Sequence, residues 1–140
     1  MELKEKLLQL LPTMQNALAD FKKSLDADLT KYDELEQNWI KNAQIQKFEF
    51  CIELLWKTTK CYFETEGEYF LSPKQNIKAL FLHNLLNEEQ YLELMNCLED
   101  RNLLSHIYKL EMFDIVMDGL LNHYKIMITT FIALENKVKN

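Results

Sequence analysis

Apolar side chains recur along this chain at three- and four-residue intervals, the spacing of a helix with one buried face. Leu7, Leu8, Leu11, Met14, Leu18, Phe21 and Leu25 set the first helix at about 3–26. Pro12 falls inside it and predicts a kink or break near Leu11, since proline has no amide hydrogen to donate. A polar stretch over 26–36 makes the turn. The second and longest helix, roughly 35–66, carries Ile45, Phe48, Ile52, Leu55, Trp56, Thr59 and Phe63 on one stripe, and Gly67 is placed to end it as a left-handed cap. Ser72-Pro73-Lys74-Gln75 has the chemistry of a helix start: a hydroxyl N-cap, proline at the first position and Gln three residues on. That third helix runs to about 83. Asn87 and Gln90 repeat the pattern and open a fourth helix leading into 101–106. The last helix, about 111–137, places Phe113, Val116, Leu120, Tyr124, Met127, Ile128, Phe131 and Leu134 inward.

With only two Gly and two Pro in 140 residues, frequent tight turns are ruled out. The expectation is an all-α protein, a single antiparallel up-and-down bundle of four to five helices over 1–140. The cysteines Cys51, Cys61 and Cys97 have no metal-ligand spacing, and Cys51 and Cys61 sit in the apolar pattern as reduced core thiols. The charged start, Met1 to Lys6, has no signal-peptide core, and no apolar run is long enough to span a bilayer, so a cytoplasmic protein with no membrane role is expected. The net charge of −6 disfavours broad electrostatic contact with nucleic acid but not local attack on RNA.

The sixteen basic residues comprise fifteen lysines and a single arginine, Arg101. A guanidinium stays charged and grips phosphate through a planar fork that lysine lacks. The plainer reading is a helix-end Arg paired with Glu99 or Asp100. Five residues on stands His106, whose unperturbed pKa suits proton transfer. On a regular helix positions 101 and 106 lie about 140° apart. They can converge only if the helix loosens near Ser105 or a second subunit completes the site. His83 and His123 read as ordinary surface or core histidines. On the second helix Gln46, Glu49, Glu53, Lys57 and Lys60 make a polar stripe, with Glu53 and Lys57 spaced for an i,i+4 pair. It is either a solvated face or the wall of a groove. Trp39 and Trp56 read as core or interface. No phosphate loop, zinc spacing or nucleophile elbow is visible, and neither a cofactor nor a metal is expected.

The set Arg101, His106, Tyr108 resembles the HEPN superfamily, whose signature is Arg, four to six residues, then His. Ile45-Gln46-Lys47-Phe48-Glu49-Phe50, Glu53-Leu54-Leu55-Trp56-Lys57, Ser72-Pro73, Ala79-Leu80-Phe81 and Leu98-Glu99-Asp100-Arg101-Asn102 extend the likeness over about 5–135. The branch resembled is that of the nucleotidyltransferase substrate-binding proteins, HepT-like toxins of HEPN–MNT toxin–antitoxin pairs. Lys47 stands where that branch commonly has Arg, Tyr91 where it has Trp, and a glycine usual after the third-helix stretch is missing. The resemblance implies a homodimer partnered with a minimal nucleotidyltransferase, in which Arg101 and His106 cleave RNA without metal. Asn102 and Ser105 would orient phosphate or imidazole. Tyr108 would be the residue to which the partner transfers AMP. Gln46, Lys47, Glu49, Glu53, Trp56 and Lys57 would be groove or partner contacts. The alternative it leaves open is a non-catalytic subunit that binds substrate for the nucleotidyltransferase, and a helical scaffold that merely dimerises is the blandest.

Overall fold

The helices begin where side chains can take up free amide hydrogens. Asp33 accepts from the Glu36 amide at 2.8 Å while the Glu36 carboxylate accepts from the Asp33 amide at 3.2 Å. Asn87 and Gln90 form the same reciprocal box at 2.8 and 2.9 Å. Ser72 accepts from Gln75 at 3.3 Å with Pro73 in the first helical position. Each such cap contributes about 1 kcal/mol. The computed structural model describes residues 2–106 and 110–140, with the side chains at 105, 106 and 110–112 left aside. Among the described residues the regular structure is all helical: α1 (Leu3–Leu25), a 3-10 turn (Leu29–Lys31), α2 (Glu34–Thr65), α3 (Pro73–Leu82), α4 (Glu88–His106) and α5 (Leu110–Lys139). Gly67 follows α2 at φ 83°, the left-handed conformation expected of it.

Long helices α1, α2, α4 and α5 pack as the bundle, and short α3 leans on α4 and α2. The expected stripes face inward. Met14, Leu18, Phe21, Phe48, Phe63, Leu94, Leu120, Met127 and Leu134 are all but fully buried. Phe21 meets Phe48 at 6.3 Å and Tyr124 edge-on at 6.1 Å, so α1, α2 and α5 share one aromatic centre. Helix α1 does not break at Pro12. Pro12 is on the exposed side, next to half-exposed Leu8, so the carbonyl deprived of its donor can turn to water.

Polar groups inside the bundle find partners on neighbouring helices. Buried Gln44 of α2 donates to the Ser24 carbonyl at 2.7 Å, satisfying an oxygen that the end of α1 leaves open. Thr58 and Thr59, wholly inside, bond back to the carbonyls of Leu54 and Leu55 at 2.7 and 2.8 Å. Cys51, Cys61 and Cys97 are buried free thiols. The Cys51 and Cys61 sulfurs sit 3.4 Å from the Ala17 and Leu3 carbonyls of α1. Burial pushes the Cys51 thiol up to about 12 and Cys97 well above the usual range. No helix among the described residues is long and apolar enough to cross a membrane.

Two outcomes test this packing. Phe48→Ala should lower the unfolding free energy by about 3–5 kcal/mol in a denaturant titration, the usual loss for emptying a buried aromatic site. A raised thiol pKa removes the reactive thiolate. Native protein at pH 8 should therefore resist a thiol-specific disulfide reagent, while all three cysteines react once it is denatured.

Candidate functional site

The last two turns of α4 hold two adjacent charges with opposite destinations. Asp100 turns inward. Its Oδ2 lies 2.6 Å from Nε2 of His123 on α5, and both residues are buried. The imidazole in turn stacks on Phe48 of α2, centroids 5.2 Å apart and planes 21° from parallel. An ionisable pair placed there is tolerated because each member satisfies the other, and removing either one would strand its partner. Gly119, one turn before His123, makes the room. A Cβ at that position would stand 3.2 Å from His123 Nε2 and 3.5 Å from Asp100 Oδ2.

Arg101, one step along, is rotated by about 100° and turns toward α2. There it forms an ion pair with Glu53. Its Nη1 is also 3.3 Å from Oδ1 of neighbouring Asn102. Both members of the ion pair keep a third or more of their side-chain surface exposed, so its stability value is modest and its effect is positional. The pair stands over a narrow cavity of about 30 Å³ between α2, α3 and α4, whose lining includes Trp56, Pro73, Asn76 and Leu98. Asn76, almost wholly buried, donates through Nδ2 to Thr59 Oγ1 of α2, while its Oδ1 has no hydrogen-bond partner.

The expected site residues are thus divided. Arg101, Asn102, Glu53 and Trp56 come together. Glu53 reaches across to α4 and not along its own helix to Lys57, and Arg101 pairs with neither Glu99 nor Asp100 among its described contacts. Lys47 is turned away, pairing with Asp20 of α1. Gln46 and Lys57 are exposed, and Glu49 is half-buried. With exposed Leu35, Trp39 and Phe50, Gln46, Glu53 and Lys57 fall within about 60° of one helical face. Lys60 sits over the Trp56 ring, 5.9 Å from its centroid. Helix α4 remains helical through His106, so no loosening at Ser105 brings 101 and 106 onto one face. The side chains of Ser105 and His106, and Tyr108 altogether, lie outside the described residues. His83 is a surface residue, 2.9 Å from Glu68, and His123 is the satisfied core residue expected. Asn76 and the Asp100–His123–Gly119 group were not singled out from sequence. Their signals are an amide on the apolar side of α3 and a mid-helix glycine four residues before a histidine.

The profile of proteins described as nucleotidyltransferase substrate binding protein like matches residues 9–137. The chain belongs to that family. Among solved structures, a protein from Thermus thermophilus aligns with a TM-score of 0.72 and 24% identity, covering 91% of this chain and 99% of its own. The tri-AMPylated HEPN toxin of Shewanella oneidensis, solved in complex with an MNT antitoxin, also aligns at 0.72, with 15% identity and coverage of 93% and 96%. At these identities the likeness is one of fold, and this family member has the HEPN-like helical fold. No curated protein matches the chain.

Gly119→Ala should report on the α4–α5 contact. The added methyl must push on His123 or Asp100, and a loss of about 1–3 kcal/mol is expected, as for overpacking elsewhere. Unchanged thermal stability would mean that the pair shifts freely and does not lock α4.

Proposed function

We propose that this protein is a HEPN-type toxin: an RNase acting without metal, dimeric, partnered with a minimal nucleotidyltransferase that silences it by transferring AMP to Tyr108. The observation carrying the reading is the placement of the chain's sole arginine. Arg101 is held by Glu53 at the mouth of a cavity, on a helix that stays regular through His106. A regular helix separates positions 101 and 106 by about 140°, which favours a cleft in which Arg101 of one copy and His106 of another act together. The family assignment and the MNT partner of the Shewanella toxin support the partner half of the proposal.

The chemistry needs no more than those groups. In this scheme the 2′-oxygen attacks the adjoining phosphorus as the bond to the 5′-oxygen breaks, leaving a 2′,3′-cyclic phosphate and a 5′-hydroxyl. His106 serves as base toward the 2′-hydroxyl or as acid toward the leaving oxygen, and Arg101 stabilises charge building on the phosphoryl oxygens. Asn102, bonded to the guanidinium, fixes its orientation, and Ser105 orients phosphate or imidazole. An AMP group on Tyr108 would place a bulky anion near that arginine and close the cleft.

A second reading has its own support. The exposed Leu35, Trp39 and Phe50 and the net charge of −6 suit a protein partner better than RNA, as for a non-catalytic subunit presenting substrate to the nucleotidyltransferase. Two measurements separate them. Purified protein should cleave RNA in the presence of EDTA, and Arg101→Ala or His106→Ala should reduce the rate about 10²- to 10⁴-fold. RNA left intact by the unaltered protein favours the second reading. Co-expression with the adjacent nucleotidyltransferase should add AMP to the intact mass, lost in Tyr108→Phe. An unchanged mass removes the switch.

A further inference from the structure

The cavity beneath the Arg101–Glu53 pair is built around one unmet need. Asn76 is 1% exposed, and its amide nitrogen is committed to Thr59, whose hydroxyl hydrogen is in turn taken by the Leu55 carbonyl. That chain of bonds fixes which end of the carboxamide is the acceptor, and it leaves Oδ1 with no donor. A buried acceptor without a donor is costly and rare in folded proteins. The surrounding wall is apolar, with Trp56, Pro73 and Leu98 among its members. A buried water normally makes about three hydrogen bonds, and these walls give it little besides Oδ1 to bond. A donor carried on an apolar ring is better matched, because it needs one acceptor and brings its own packing surface.

We infer that this cavity is a base-recognition pocket, taking the exocyclic amino group of a nucleobase. This inference rests on the RNA reading above and names the part of the RNA that the site reads. About 30 Å³ admits an amino group but no ring, so the ring stays at the mouth. There it lies between half-buried Trp56 and the Arg101 guanidinium, two flat groups that pack well on a base. The amino hydrogen bonds Asn76 Oδ1. Arg101, at the same mouth, is within reach of the phosphate next to that base. Adenine fits the pocket best, since it has an amino group and no carbonyl to strand against apolar walls. Uracil and thymine present a carbonyl where the amino group would be, and two facing acceptors repel. Asn76 is therefore a specificity residue, separate from the residues that break the bond.

The test uses tetranucleotides oligo(dA) and oligo(dT), which cannot be cut for want of a 2′-hydroxyl, titrated against the full-length protein with tryptophan fluorescence as readout. Oligo(dA) should bind about fivefold more tightly or better, the worth of one neutral hydrogen bond. Asn76→Leu, which removes the acceptor, should bring the two affinities together while leaving RNA cleavage intact. The comparison on unaltered protein decides the matter even where that variant does not fold. Equal affinities for the two oligomers, with RNA still cleaved, overturn the base pocket alone. Absence of binding to either, with RNA uncleaved, overturns the RNA reading and the pocket together. Preference for oligo(dA) retained in a folded Asn76→Leu protein also overturns the assignment, because the selectivity would then arise elsewhere.

Discussion

A carboxylate and an imidazole share the interior of this bundle, and their mutual satisfaction fixes the rotation of a helix. Asp100 is buried against His123, which lies flat on Phe48. Neither charged form is tolerable there alone, so α4 has one acceptable azimuth against α5. A helix advances about 100° per residue, so anchoring Asp100 also aims its neighbour. Arg101 is directed at the edge of α2, where Glu53 meets it. Gly119 belongs to the same constraint, since its missing side chain is the space the pair occupies. A core interaction with no chemistry of its own thus determines where the chain's only guanidinium stands.

Three helices contribute to the region under that guanidinium. Helix α2 supplies Glu53, Trp56 and Thr59; α3 supplies Pro73 and Asn76; α4 supplies Leu98 and Arg101. The capped start at Ser72 matters here, because a helix only ten residues long depends on its first turn to hold Asn76 in register with Thr59. Local rules of capping and long-range placement of an acceptor are connected through that one turn. The cavity and the ion pair together define a small polar gate above an apolar recess.

Much of this architecture could be read along the chain. The three- and four-residue spacing gave each helix its buried face, and Ser72, Asn87 and Gly67 marked ends within a residue or two, because capping depends on neighbours in sequence. Pro12 misled for the opposite reason: whether a lost amide donor breaks a helix depends on whether the orphan carbonyl faces water, which only the packed bundle decides. The same limit applied to the site. Arg101 stood out as the sole arginine, yet its partner is Glu53 on another helix and not a near neighbour. Glu53 itself looked matched to Lys57 until a guanidinium from α4 competed for it. Lys47, grouped with the groove by its place in a motif, serves the α1–α2 contact with Asp20 instead.

The Arg101–Glu53 ion pair has one more consequence. A phosphate arriving at this site does not meet a bare cation but one already neutralised by the protein's own carboxylate. Binding is then an exchange of one anion for another, and its net strength is a difference between two similar attractions, both weakened by salt. Such a site holds its cation ready and ordered while discouraging stray anions, metabolites and non-specific polyphosphates alike. It yields only to a ligand that brings further contacts to tip the exchange. In a cell crowded with nucleotides, that built-in competitor acts as a threshold.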